Sequence, residues 1–150
     1  MTISPIPEGM HAVTPYLIVP GAEALIAFLG EAFGAVETFR AARPDGTIMH
    51  ASLKLADSTI ELGEANASHP AMPCALHLYV ADTDATYRRA LDAGATSSWE
   101  PRDAFYGDRE AGIVDPSGNH WFLATRQEVV SEEEMARRVE AFLKRPDPGA

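Results

Sequence analysis

One hairpin pattern in the second half of the chain constrains the fold more than any other feature. Residues 106–126 read YGDREAGIVDPSGNHWFLATR, in which two apolar runs flank the sequence DPSG at 115–118. Proline fixes φ near the value that a turn requires, and glycine takes the positive φ that other residues avoid. The pattern therefore predicts a strand, a tight turn and a second strand.

A weaker copy of this hairpin lies at residues 53–62, and equivalent positions in the two halves keep a constant spacing. Val19 and Val80 end equivalent predicted strands 61 positions apart, and Leu62 and Leu123 are also 61 apart. An offset that holds from strand to hairpin indicates an internal repeat.

The predicted elements follow the order βαβββ, linker, βαβββ, helix. This order predicts an α+β fold with two βαβββ modules, and we expect them to form a single domain over residues 1–150. Module one spans about 11–64, the linker 65–74, module two about 75–126, and the C-terminal helix about 131–144. Asp82 and Ser131 are the predicted N-caps of two helices. Strands are predicted at 11–19, 36–42, 47–55, 58–63, 75–80 and 95–99, helices at 22–33 and 83–93, and a loop at 100–104.

Composition limits the partners of the chain. The formal charge of −10 argues against a nucleic-acid partner, which needs clustered Lys and Arg, and against docking on anionic lipid. Cys74 is the single cysteine, so no internal disulfide can form, which suits a reducing compartment. No signal peptide or transmembrane helix is evident. We therefore expect a cytoplasmic protein with a small-molecule ligand.

Short motifs recur in the same order in the two halves. They are YLIV (16–19), FG (33–34) and TIEL (59–62) in the first half, and HLYVAD (77–82), AGA (93–95) and DPSGN (115–119) in the second. Together they resemble the glyoxalase / bleomycin-resistance / extradiol-dioxygenase superfamily, also called vicinal oxygen chelate proteins. YGDR (106–109) and SEEEM (131–135) are similar to its PhnB-like branch.

The resemblance implies that the two modules pair edge to edge into a cupped half-barrel sheet, with the helices outside and the ligand in the cup. In metal-using members, four side chains ligate one divalent ion, and the substrate chelates that ion. Each module contributes one ligand from its first strand and one from its last. Related proteins commonly dimerise, so the resemblance also implies a homodimer.

The four ligand positions of the superfamily fall on Thr14, Glu61, Ala75 and Phe122 in this chain. Of these, only Glu61 matches a metal ligand. Divalent cations in such sites take several carboxylate or imidazole donors. The usual four-ligand set is therefore not retained.

Neighbouring positions on the same strand faces predict a shifted site. Because side chains in a strand alternate faces, His77 faces the same way as Ala75, and His120 the same way as Phe122. Two histidines and one carboxylate can ligate a divalent metal. We therefore predict Glu61, His77 and His120 as catalytic residues and as a divalent-metal site. The alternatives are a carboxylate that pairs with arginine or faces water, and histidines of the pocket wall or surface.

The rest of the predicted substrate pocket combines cup-facing and loop residues. Arg109 would hold a substrate carboxylate by a two-point hydrogen bond. Its alternative role is an ion pair with Asp103, Asp108 or Asp115. The aromatic residues would stack on a planar ligand or pack in the core or a dimer interface, and His50 is predicted to be structural or exposed. The predicted pocket residues are Thr14, Tyr16, Ala75, Trp99, Phe105, Tyr106, Arg109 and Phe122.

Three functions are compatible with the sequence. The first is an isomerase, lyase or dioxygenase-type enzyme for an oxygen-rich substrate, with Glu61 as a base or a metal ligand. The second is a metal-independent protein that sequesters an antibiotic or drug-like molecule. The charge of −10 and the aromatic candidates favour a cationic planar ligand for that role. The third is a non-catalytic structural or regulatory module.

Overall fold

The computed structural model describes residues 3–146, and its elements follow the predicted order. The strands are β1 Tyr16–Val19, β2 Val36–Ala42, β3 Ile48–Leu55, β4 Ser58–Glu64, β5 Ala75–Tyr79, β6 Thr96–Asp103, β7 Asp108–Val114 and β8 His120–Arg126. The helices are α1 Ala22–Phe33, α2 Thr83–Asp92 and α3 Glu132–Leu143. None of these helices is long and apolar enough to cross a membrane.

The two modules have the same topology. Each forms a four-stranded sheet, in the order β1-β4-β3-β2 and β5-β8-β7-β6, with the first strand parallel to the last. Tyr16 pairs with Glu61 in the first sheet, and His77 pairs with Phe122 in the second. His77 follows Tyr16 by 61 positions, and Phe122 follows Glu61 by the same number, which supports the internal repeat. The predicted α+β fold of two βαβββ modules and a C-terminal helix is confirmed.

The first strand is shorter than predicted. The prediction began it at residue 11, whereas β1 begins at Tyr16. Pro15 has no N–H to donate, and its carbonyl accepts the first bond of the ladder from the Glu61 N–H at 3.0 Å. Before it, the Thr14 hydroxyl donates to the His11 carbonyl at 3.2 Å, which is a local turn contact and not strand pairing.

Strand β6 is longer than predicted. It continues through Pro101 to Asp103, so the predicted loop at 100–104 is wrong. Proline is tolerated on an edge strand or at a bulge. β6 lies at the edge of its sheet and has two register shifts against β7, which together accommodate Pro101.

Each helix begins with its exposed N–H groups satisfied by an oxygen from a side chain. The Asp82 carboxylate accepts from the Ala85 N–H at 2.9 Å, and the Ser131 hydroxyl accepts from the Glu134 N–H at 3.2 Å. Both predicted caps are confirmed. Helix α1 is capped from a distance, because the two carboxylate oxygens of Glu64 accept from the N–H groups of residues 21 and 22, each at 2.8 Å.

A shared core lies on the face of each sheet that packs against a helix, which we call the outer face. Leu25 and Leu29 of α1 are fully buried, and helices α1 and α2 contact each other. The ring of Phe33 at the end of α1 lies 4.9 Å from the ring of Trp121 in the second sheet, so the core joins the two modules. The opposite face of each sheet, which we call the inner face, points away from α1 and α2.

Helix α3 is attached to the rest of the chain by few contacts. It has no buried residue, and Leu143 is 65% exposed. Its Phe142 ring packs at 4.6 Å from Phe105, and Arg138 forms an ion pair with Glu128 at 2.7 Å. The apolar stripe of α3 is therefore not part of the core.

The turn after β7 is organised by a buried carboxylate. Asp115 is 4% exposed, and its oxygens accept from the backbone N–H groups of Ser117 and Asn119 at 2.8 and 3.0 Å. They also accept from the Asn119 amide and the Trp121 indole, both at 2.9 Å. Asp115 therefore stabilises the turn and does not face a pocket.

Candidate functional site

The inner face of module one brings a tyrosine, a histidine and a glutamate together. The Nδ1 atom of His50 lies 3.3 Å from the Tyr16 hydroxyl, and its Nε2 atom lies 3.5 Å from Glu61 Oε1. The Ser52 hydroxyl approaches Nε2 at 3.4 Å. We call Tyr16, His50 and Glu61 the Tyr–His–Glu cluster.

The cluster is partly exposed, and its carboxylate has no strong counter-charge. The side chains of His50 and Glu61 are 29% and 26% exposed. Within residues 3–146, no Lys or Arg side-chain nitrogen lies within 4 Å of a Glu61 carboxylate oxygen, whereas His50 Nε2 lies at 3.5 Å. The alternative in which an arginine neutralises Glu61 is therefore not what the structure contains.

Two open cavities flank the cluster. Cavity A has a volume of about 470 Å³ and reaches Tyr16, and cavity B has a volume of about 490 Å³ and reaches Glu61. Because Tyr16 and Glu61 are paired residues of adjacent strands, the cluster lies between the cavities. Cavity A is lined in part by Tyr16, Arg43, Met49, Glu64, Asn66 and His69, and cavity B by Gly9, Phe39, Ser52, Lys54 and Glu61.

Gly63 makes room for the tyrosine of the cluster. A Cβ atom at this position would lie 2.7 Å from the Met49 carbonyl oxygen and 3.0 Å from the Tyr16 hydroxyl. Neither distance is tolerated without a shift of the neighbour. Glycine at position 63 therefore lets the Tyr16 hydroxyl lie across β4, beside cavity A.

The predicted metal trio does not come together. Glu61 lies on the first sheet, whereas His77 and His120 lie on the second. His77 packs on Tyr79 with ring centroids 4.7 Å apart, and both line a separate cavity of about 300 Å³. Among the described residues, no group of three or more His, Cys, Asp or Glu side chains could hold a metal ion. The side chains present therefore do not fit the divalent metal that the superfamily resemblance implies.

The inner face of module two carries aromatic side chains and charges of both signs, because the Arg102 guanidinium lies 5.5 Å from the centroid of the Trp99 ring, beside Glu110 on the paired strand. The register places Ala75, His77, His120 and Phe122 on this face, as the alternation of side chains predicted. Trp99 stacks on Phe122 with ring centroids 5.5 Å apart. Asp108 and Glu110, which are two residues apart on β7, share this face and are each 8% exposed.

Trp99 lies flat over a glycine. A Cβ atom at Gly112 would come within 2.5 Å of the Trp99 ring. The Trp99 indole N–H is buried and has no hydrogen-bond partner among the described residues. The glycine therefore sets how closely the indole approaches the sheet.

Three of the predicted pocket residues have structural partners. Phe105 packs against Phe142 of α3, and the Tyr106 hydroxyl donates to Glu110. Burial and this hydrogen bond raise the pKa of Tyr106 well above its ordinary value. Thr14 is the third, and its hydroxyl is bonded to a neighbouring carbonyl.

Arg109 lies on the outer face and not in the predicted pocket. Its guanidinium donates to Asp84 of α2 at 2.9 Å and to Asp103 at 3.1 Å. The hydrogen bond from Arg109 lowers the pKa of the Asp84 carboxyl. The predicted role in binding a substrate carboxylate is therefore replaced by the ion-pair alternative, with Asp84 as an additional partner.

His50 is the residue of the cluster that the sequence reasoning missed. The sequence predicts a structural or exposed role for His50, whereas the side chain contacts both Tyr16 and Glu61. The signal was present in the β3–β4 hairpin, whose register sets Ser52 opposite Glu61. Because His50 is two residues from Ser52, it lies on the same face as Glu61.

Residues 9–123 match the model of the Glyoxalase/Bleomycin resistance protein/Dioxygenase superfamily, and the chain belongs to this superfamily. The uncharacterized protein Mb0911c of Mycobacterium bovis is 36% identical over 135 residues, covering 83% of this chain and 89% of the relative. TioX from Micromonospora sp. ML1 is 19% identical with a TM-score of 0.62, over 77% of this chain and 99% of TioX. A glyoxalase-related enzyme from Fulvimarina pelagi is 17% identical with a TM-score of 0.63, over 81% and 97% of the two chains. At these identities the two solved structures show a common fold.

Proposed function

We propose that this protein is an enzyme that removes a proton from a carbon next to a carbonyl group in a small oxygen-rich substrate. One observation carries the proposal: His50 contacts both the Tyr16 hydroxyl and the Glu61 carboxylate between two open cavities. A base, a hydrogen-bond donor and space for a ligand are therefore close together. The reacting groups in this proposal are the side chains of the chain itself.

The proposed step uses Glu61 as the general base. A Glu61 oxygen accepts the proton, the electron pair of the broken C–H bond forms a C=C bond, and the carbonyl π pair moves to oxygen. The Tyr16 hydroxyl is placed to donate to the developing enolate oxygen, and His50 fixes the orientation of that hydroxyl. Return of the proton to the opposite side of the same carbon inverts that carbon. Return to the former carbonyl carbon completes an isomerisation when a hydroxyl on the deprotonated carbon passes its proton to the enolate oxygen and becomes the new carbonyl. A positioned general base contributes roughly 10²- to 10⁴-fold to such a rate.

Proton exchange in deuterium oxide tests this chemistry without knowledge of the natural substrate. The protein is incubated with a series of 2-oxo acids, beginning with 2-oxobutyrate, and the protons on carbon 3 are followed by NMR. Enzyme-dependent loss of these signals is the expected result. Exchange no faster than in buffer for every member of the series would contradict the proposal.

A second candidate function is supported by the inner face of module two. Trp99 and Phe122 form a stack beside two nearly buried carboxylates, Asp108 and Glu110, in a chain of charge −10. The Arg102 guanidinium already lies over the Trp99 ring at 5.5 Å, so this ring accepts a cation on its face. A planar aromatic cation would take the place of Arg102 and gain from stacking and from the negative charge of the chain. This would be the metal-independent sequestering role.

Gly112→Ala tests the second candidate. The new Cβ would displace the Trp99 ring, so the variant should lose the fluorescence quenching that N-methylquinolinium produces in the wild type. Gly30→Ala is the matched control, because its Cβ would make an ordinary contact of 3.6 Å with the Ala35 carbonyl oxygen. Absence of quenching in the wild type, or equal quenching in both variants, would remove this function.

We also propose that the protein is a cytoplasmic homodimer. Large apolar side chains are exposed on α3, with Val139 at 37% and Leu143 at 65%. A second copy would cover such surfaces. Sedimentation should give about 32 kDa, twice the chain mass of 16.2 kDa, and a single species of monomer mass would contradict the proposal. Placement in the PhnB-like branch stays a prediction from the 106–109 and 131–135 motifs.

A further inference from the structure

We infer that cavity A binds the carboxylate of the substrate through Arg43, so that the substrate class is a small carbonyl-bearing carboxylic acid. A 2-oxo acid is the simplest member of this class. The inference rests on the proposed function for the carbonyl group, and on an independent feature of cavity A for the carboxylate.

That feature is an arginine with no carboxylate within ion-pair distance among the described residues. Its acidic neighbour, Asp45, is held by the Thr47 N–H and hydroxyl, and these hydrogen bonds, with a smaller contribution from the Arg43 charge, lower the pKa of the Asp45 carboxyl. Nη1 of Arg43 lies 3.4 Å from the Thr47 hydroxyl and 3.5 Å from the Ile48 carbonyl oxygen. Within residues 3–146, no carboxylate oxygen lies within 4 Å of its guanidinium, and its Nε and Nη2 atoms make no hydrogen bond. Arg40, three residues earlier, is instead held by Glu37 and Glu23. Arg43 therefore keeps two nitrogens, Nε and Nη2, with three N–H donors that have no partner among the described residues, at the wall of cavity A.

The carboxylate that also lines cavity A is already engaged. Both oxygens of Glu64 accept from backbone N–H groups at the start of α1, each at 2.8 Å, where the helix dipole stabilises negative charge. Glu64 is therefore not a counter-ion for Arg43. Asn66 adds a hydrogen-bond donor at cavity A. Its Oδ1 atom accepts from the N–H groups of residues 68 and 69, so its amide NH₂ group can donate to a ligand.

Charge and position then define the ligand. The planar guanidinium suits a carboxylate, which it can hold by two parallel hydrogen bonds. The net charge of −10 does not prevent this, because charges farther than about 8 Å are largely screened at physiological ionic strength. Tyr16 belongs both to cavity A and to the Tyr–His–Glu cluster. A carboxylate at Arg43 would therefore keep the ligand in the cavity that Tyr16 lines, on the Tyr16 side of the cluster, and the rest of the molecule would have to extend past His50 to reach Glu61.

Arg43→Gln tests the inference by calorimetric titration with 2-oxobutyrate and with its neutral amide. Loss of a charge-assisted contact should raise the Kd of the acid by about 10- to 100-fold and leave the Kd of the amide within about twofold. Arg40→Gln removes the same charge from the adjacent strand and should change neither Kd. Arg43→Lys keeps the positive charge but lacks the planar guanidinium, so its Kd for the acid should lie between those of the wild type and Arg43→Gln. Thermal melts of each variant check the fold.

The outcomes separate this inference from the proposed function. An Arg43→Gln variant that binds the acid as tightly as the wild type would overturn the role of Arg43, while Glu61-dependent proton exchange would still support the proposed chemistry. A wild type that binds neither the acid nor the amide would also overturn the inference. If the acid binds through Arg43 but no proton exchanges, the ligand class stands and the proposed reaction fails.

Discussion

Glu61→Gln should slow enzyme-dependent proton exchange of a 2-oxo acid by at least about 100-fold while the protein stays folded. The substitution keeps the shape of the side chain and removes its ability to accept a proton, so it removes the contribution of a general base. Proton exchange by NMR gives the rate, and a thermal melt gives the fold.

Glu37→Gln is the matched control for this prediction. It removes one carboxylate from the neighbouring strand β2, where Glu37 pairs with Arg40 and is not part of the Tyr–His–Glu cluster. We expect the control to exchange protons at the wild-type rate. Equal rates for Glu61→Gln and the wild type would remove Glu61 as the base.

Asp115→Ala should cost about 3–5 kcal/mol of the free energy of unfolding. The substitution leaves four buried donors without an acceptor: two backbone N–H groups, the Asn119 amide and the Trp121 indole. Each unsatisfied group costs about 1–3 kcal/mol, and partial relaxation or entry of water reduces the total. For a domain of this size, the expected loss lowers the melting temperature by roughly 6–20 °C. Urea unfolding followed by tryptophan fluorescence measures it.

Asp57→Ala is the matched control for Asp115→Ala. It shows whether removing an aspartate from another turn has the same effect on stability. Asp57 lies in the first hairpin and is exposed, and its side chain accepts a hydrogen bond from the Ser58 hydroxyl at 3.0 Å. We expect this variant to lie within about 0.5 kcal/mol of the wild type. A cost below about 1 kcal/mol for Asp115→Ala would mean that the four hydrogen bonds do not hold the hairpin.

The sequence alone predicted the limits of the helices whose ends are set by residues next to them in the chain. Helix α1 matches its predicted limits, because an apolar stripe ends at Gly34, which adopts the left-handed φ of +72° that stops a helix. The N-caps Asp82 and Ser131 follow from the same kind of short-range chemistry. The predicted end of strand β6 was wrong because the strand continues past Pro101 through irregular pairing with β7. The residues around Pro101 do not reveal this pairing in the sequence.

The candidate site was predictable only within each strand. Alternation placed Tyr16 and Glu61 on one face, and the register confirms it. The same rule could have excluded Arg109, which shares the parity of the buried residues Ala111 and Ile113 and so faces the helix. Whether Glu61 meets His77 depends on how the two sheets sit relative to each other. The alternation of side chains along a strand does not predict this arrangement. For this reason the predicted metal site of Glu61, His77 and His120 is not formed in the structure.

The most direct test of the account is to map where a 2-oxo acid binds. Isotope-labelled protein is titrated with 2-oxobutyrate, and the side-chain NMR signals of both inner faces are followed. We predict saturable shifts at Tyr16, His50 and Met49, which line or adjoin cavity A. Shifts confined to Trp99 and His77 of module two, or no shifts at all, would contradict the assignment of the site to module one.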